Sequence, residues 1–223
     1  MSTDYFAEAM RRRWYDLCLR MNRGMMPQIE GTWRIIHFSY AEPHRLYHAL
    51  RHIGYCLDRY EEYKASVQIS KHGAFPETEL ALWLHDLRYD FHRNDNEHES
   101  SLWAGVLLKS LLLDDVVCTQ VSHLICQTKH DRPSHLEQEG KIVLDVDLAH
   151  FAKPFEEFAV DTQRIRLEYD WVPKAEFCKK RAEILQGFLD RPRIYQTDYF
   201  YEKYEAKARE NLKRSIEQLK TGV

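Results

Sequence analysis

Glycine and proline are scarce in this chain, with 8 and 7 among 223 residues. Sandwiches and barrels need turn residues every few positions, so the shortage argues against them and favours long helices with few breaks. No window approaches ~18 consecutive apolar residues, and no membrane span is expected. Neither sign of charge dominates. A net charge of -3 gives no electrostatic footprint for a nucleic-acid polymer, although a local basic cluster can still hold a small anion. No Cys-x-x-Cys pair occurs, and the five cysteines (Cys18, Cys56, Cys118, Cys126, Cys178) are dispersed and odd in number. That pattern fits thiols in a reducing compartment better than a disulfide framework. The opening segment, Met1 to Leu17, carries acids and the triplet Arg11-Arg12-Arg13 where a secretory signal needs a short apolar core, so a cytoplasmic protein is expected.

What is present is ordinary for a folded domain: 44% hydrophobic residues, 30% charged, and a generous 13% aromatic, so large rings should supply much of the core. Without repeats, low-complexity tracts or Gly/Ser linkers, a single domain over 1–223 is expected. Phe6, Met10, Trp14, Leu17 and Met21 recur at three and four and predict a helix from Thr3 to about Met21. After a loop around Gly24 to Pro27, a short apolar helix is expected near Trp33 to Phe38, stopped before Pro43. Further helices are expected over about 46–66, 78–89, 97–112, 114–128 and 139–150. Three long ones follow at about 154–171, 174–189 and 198–219, with Pro173 and Pro192 in the breaks. The expected fold is all-α: a core over about 44–150 with the C-terminal helices packed on it.

The twelve histidines are unevenly placed. His44, His48 and His52 recur at steps of four, which on a helix puts them near one face. His85-Asp86 closes the apolar run Leu80 to Leu84, and Asp145 and Asp147 sit inside another apolar run, Ile142 to Ala149. Carboxylates among aliphatic residues are expensive unless paired or bound to a cation, and a metal gives imidazole and carboxylate alike a reason to be there. Such a donor set suits Mn, Fe or Zn, or Mg when more oxygens join. Asp145 and Asp147 compete as the distal ligand.

The order of these residues resembles the HD superfamily of metal-dependent phosphohydrolases, whose motif is a His, a later His-Asp pair and a distal Asp on separate helices. His52, His85-Asp86 and Asp147 match it. The stretch Arg45-Leu-Tyr-His48-Ala-Leu-Arg-His52-Ile is similar to the Tyr-His-x-x-x-His segment of the cyclic-nucleotide phosphodiesterases. Two more stretches resemble that group: Ile125 to His130, two residues shorter than its Ala-Thr-x-x-x-His, and Asp147-Leu148, which favours Asp147 over Asp145. Asn96-Glu97 and Arg166-x-x-Tyr169 resemble a smaller bacterial branch of predicted HD phosphohydrolases, of about this length. The hydrophobic clamp that holds a purine in the phosphodiesterases is not recognisable.

The resemblance implies His52, His85, Asp86 and Asp147 as ligands of one or two divalent ions (Mn, Mg, Fe, Zn or similar). It also implies His48 as general acid, and Asp86 as a catalytic carboxylate able to bridge a second ion with help from Glu97 or His130. Phosphate would then be held by Arg45, Lys129, His130 and Arg166, with Arg51 a further candidate. The reaction implied is hydrolysis of a phosphomonoester or phosphodiester of a nucleotide or similar small metabolite by a metal-activated water. The expected partner is that small molecule, with a homodimer compatible and no nucleic-acid polymer or membrane. Two other readings use the same residues. A di-iron oxygenase would take two extra ligands from His92, His98, His123 and His130, and a non-catalytic binding protein would keep the fold without the metal. Of the remaining histidines, His44, His72, His135 and His150 are expected at the surface. Trp171, Phe177, Phe188, Tyr195 and Tyr199 are expected in the core.

Overall fold

The computed structural model describes residues 3–21, 24–68, 75–130 and 136–221; His72 and His135 lie outside them. Among the described residues there are ten α-helices and no strand. They are α1 Thr3–Arg20, α2 Met26–Tyr40, α3 Leu50–Ser66, α4 Pro76–Leu84, α5 Asn96–Ser110, α6 Asp115–Gln127, α7 Gln138–Leu148, α8 Phe155–Glu168, α9 Lys174–Leu189 and α10 Asp198–Thr221, with a 3₁₀ turn, Ala149–Ala152, after α7. The all-α expectation holds, and no helix is long and apolar enough to cross a membrane. All five cysteines are free thiols.

The centre of the bundle is α4. Pro76 occupies its first turn with Glu77 and Glu79, which suits the positive end of the helix dipole. Leu80 to Leu84 are then fully buried all the way round, as a helix enclosed by neighbours must be. α3, α5, α6 and α7 surround it, and α9 packs on α10 beside the 3₁₀ turn. One hydrophobic cluster runs from Met10 on α1 to Ile216 on α10, with the Trp14 ring edge-on to Trp83 at 5.4 Å.

The boundaries depart from expectation at the ends that carry the site. The expected helix over 46–66 begins only at Leu50. The Glu168 carboxylate accepts the amide N–H groups of Leu46, Tyr47 and His48 at 2.7, 2.7 and 3.0 Å, and so bends 45–49 out of the helix. His44, His48 and His52 therefore do not share a helical face. α4 likewise stops at Leu84 rather than about Tyr89, so His85-Asp86 lies in the turn just beyond it. α2 is longer than its apolar stretch, since Pro27 takes its first turn.

Asp145 is fully buried, and its carboxylate accepts from the amides of Gln196 and Thr197 and from the Thr197 hydroxyl, at 2.6 to 2.7 Å. It thus ties α7 to the start of α10 and does not face His52 or His85. Burial pushes its carboxyl up to about 7, against the pull of those three donors. The unfolded carboxyl titrates near about 3.9. The folded chain therefore holds this proton more tightly between about 4 and 7, and the associated stability declines as pH rises through that window. The stability margin of the native protein over Asp145→Asn is expected to shrink by on the order of 2 kcal/mol between about pH 5 and pH 7.5, measured by urea unfolding. A margin that stays constant or widens would contradict this account.

Candidate metal centre

Three elements converge at the cluster. α3 carries His52 in its first turn, the end of α4 carries His85 and then Asp86, and the last turn of α7 carries Asp147. Ligand atoms of His52, His85 and Asp147 all lie within 4.8 Å of one another, so the group could hold a metal ion. His52 Nε2 lies 3.2 Å from His85 Nε2 and 3.0 Å from Asp147 Oδ1. Asp86 Oδ2 is 3.3 Å from His85 Nε2 and 3.9 Å from His52 Nε2. Asp147, not Asp145, is the distal carboxylate in the cluster.

Helix ends explain how buried, rigid ligands arise there. The last carbonyls of a helix lack partners within it, and they carry partial negative charge. At α4 these acceptors are taken by side chains. His85 Nδ1–H donates to Leu82 O at 3.1 Å, which turns the Nε2 lone pair toward the cluster. The Tyr40 hydroxyl donates to Trp83 O at 2.9 Å, while Arg45 donates to Asp86 O at 2.5 Å and Leu87 O at 3.2 Å. At α7, His150 Nδ1 donates to Asp147 O at 3.0 Å and Tyr195 to Leu148 O at 3.0 Å. Both ends thus bring negative potential and fixed donors to one point.

The electrostatics there call for positive charge. Burial opposes ionisation of Asp147, yet hydrogen bonds from His130, His52 and His85 outweigh it and hold the carboxyl well below its usual range. Asp86 is shifted the same way, with burial overcome chiefly by His85. Burial opposes charge on His85 too, but Asp86 and Asp147 overcome that and favour the cation. Two imidazole nitrogens meeting at 3.2 Å over two carboxylates fit a shared cation, and a divalent ion suits this donor set.

His48 occupies a separate position. Its Nδ1 lies 2.7 Å from Glu168 Oε2, and its ring stacks on Tyr89 with centroids 3.9 Å apart. With Nδ1 engaged, Nε2 is the nitrogen left for the cavity that His48 lines. Glu168 was not anticipated, because a lone acid near the end of a charged helix gives no signal in sequence. Burial opposes its ionisation, but His48 and the backbone amides lower its pKa, so it is a carboxylate.

The cavity over the cluster has a volume of ≈ 470 Å³ and also touches Glu97, Lys129, His130 and Arg181. Of the residues expected to hold phosphate, only Lys129 and His130 line it. Lys129 is exposed, whereas His130, at φ 58, places Nε2 2.8 Å from Asp147 Oδ2 and so buttresses a ligand. Arg45 corrects the expectation: its guanidinium is buried and committed to Glu42, Asp86 O and Leu87 O. Arg166 does too, since it donates to Tyr169 O and Val172 O and closes the α8–α9 turn. Arg51 is exposed and lies over Phe6. Glu97 is half-buried on the cavity wall, where burial, aided by Asp86, raises its carboxyl pKa.

Of the four histidines that the oxygenase reading offers, His92, His98 and His123 are exposed and outside the cluster, and His130 lies against Asp147. His44 is exposed as expected, but His150 is buried and lines the cavity. Phe177, Phe188 and Tyr195 are buried in the core as expected, the first two also lining the cavity, and Tyr199 packs half-buried against that core; Trp171 corrects the expectation, since it is exposed at the cavity wall. No family model matches the chain, and no curated protein or solved structure matches it.

Two outcomes are expected. Arg45→Lys cannot fork across two carbonyls, and the loss is expected to cost about 2–4 kcal/mol in denaturant unfolding. Unchanged stability with a raised KM would instead return Arg45 to substrate binding. His52→Ala and Asp147→Ala are expected to lose the bound divalent ion by elemental analysis, while Asp145→Ala retains it. Retention of the ion in His52→Ala would sink the site assignment.

Proposed function

We propose that the protein is a metal-dependent phosphohydrolase of the HD type, acting on a phosphate ester of a small metabolite or nucleotide. The observation that carries this reading is one cavity lined both by the His52–His85–Asp147 cluster, with Asp86 against it, and by a histidine already oriented by a carboxylate. A divalent ion held by these ligands would neutralise charge on phosphoryl oxygens and activate a water nucleophile. The chain's own residues do the rest. Glu168 holds the Nδ1–H of His48, so that from the imidazolium form the Nε2 proton can pass to the departing oxygen and leave the neutral Nδ1–H tautomer. His130 steadies Asp147, and Arg45 steadies the turn that bears Asp86, so neither is free to follow a substrate.

The test is a panel of phosphomonoesters and phosphodiesters assayed with Mn, Mg, Fe and Zn. His48→Gln is expected to slow alkyl esters by about 10²–10³ and aryl esters with good leaving groups by about tenfold or less, since only a poor leaving group needs the proton. Equal slowing of both would refute the acid role. Absence of metal-dependent turnover across the panel would refute the hydrolase reading.

A further inference from the structure

Among the charged groups that line the cavity and that the hydrolysis described above does not use, Arg181 is set apart by having no ion-pair partner among the described residues. Arg181 faces it from the middle of α9, along with Phe177, Ile184 and Phe188 at helical spacing. Its Nε is shielded from solvent and has no hydrogen-bond partner. No carboxylate among the described residues pairs with its guanidinium. Neighbouring cations differ: Lys180 meets Glu176 at 2.8 Å, Lys153 meets Asp161 at 2.6 Å, and Arg166 donates to two carbonyls. The polar groups in electrostatic reach of Arg181 are the phenols of Tyr47, Tyr89 and Tyr169 and the buried imidazole of His150, which burial holds neutral. Burial raises the pKa of all three phenols, which keeps them neutral. Arg181 is half-buried and its charge has no ion-pair partner among the described residues, so an anion entering the cavity would find it free to bind. A planar guanidinium fork matches a carboxylate or phosphate.

Arg181 also lies away from the end of α9 that meets His130. Phe188, seven residues further along α9 and so about 10 Å away, is the residue whose ring lies 5.8 Å from His130. Toward the other end of the helix, Phe177 packs with Tyr47 and Ile165. Tyr47 joins the two neighbourhoods, with its ring 4.9 Å from the His52 ring. Between them the wall is formed by Tyr47, Ile165 and Phe177, with the neutral His150 beside Tyr47.

We propose that Arg181 anchors a second anionic group of the substrate, so that the cavity takes a small phosphate ester bearing a carboxylate or a further phosphate away from the scissile bond. The identity of the first anion rests on the hydrolase reading; the role of Arg181 is tested without turnover. The probes are ω-phosphonoalkanoates and α,ω-bisphosphonates of two to six carbons, each compared with the alkylphosphonate of equal length, by calorimetric titration with and without Mn²⁺. At the best chain length the second anion is expected to tighten binding by about tenfold or more. Arg181→Met should erase that advantage while leaving alkylphosphonate affinity and the thermal midpoint nearly unchanged, and Arg181→Lys should keep part of it. Preference for the carboxylate or the phosphonate series identifies which second anion fits. No advantage in the native protein, an advantage that survives in Arg181→Met, or equal loss for both probe types would overturn the proposal. Failure of the hydrolase reading would show separately, as no turnover and no effect of Mn²⁺ on binding.

Discussion

The structure depends on the carbonyl ends of two helices, α4 and α7, being closed by side chains rather than by water. A helix that stops inside a protein leaves acceptors that must be satisfied, and their partial charge must be answered. Here Tyr40, Arg45 and His85 answer α4, while His150 and Tyr195 answer α7. Those same turns carry Asp86 and Asp147. Ligand placement and helix termination are thus one problem with one solution. The residual negative potential of both ends makes the point between them a place for a cation, before any side chain is counted.

Around that point the C-terminal helices supply what the ligand-bearing core lacks. Glu168, at the end of α8, reaches back to the segment before α3 and sets the direction of His48. α9 contributes one wall of the cavity and the unpaired Arg181. The candidate ligands come from the core, and the groups that would meet the rest of a substrate come from α8 and α9.

Much of this was legible in the sequence, for identifiable reasons. Periodic apolar spacing reveals helices, and scarce glycine and proline reveal that there is little else. Carboxylates inside apolar runs reveal the cluster, because their burial needs an explanation that an exposed acid does not. The same logic left Asp145 and Asp147 equivalent, since hydrophobic context cannot say which way a side chain points. Thr197 and its neighbouring amide decide it by claiming Asp145. Arginines were the weakest inference. Arg45 and Arg166 looked available for phosphate but are spent on backbone carbonyls, whereas Arg181, within the run Lys179-Lys180-Arg181, has the pattern of a solvated face. Whether a cation is free depends on acceptors brought by distant chain, which no local pattern encodes. The start of α3 was misplaced for the same reason: Glu168 acts from more than a hundred residues away.

That last contact orders events during synthesis. His52, His85, Asp86 and Asp147 have all been made before Glu168 leaves the ribosome, and domains tend to organise as they emerge. The direction of His48 is thus set by chain made after all four candidate ligands, and the end of α7 is closed later still, by Tyr195.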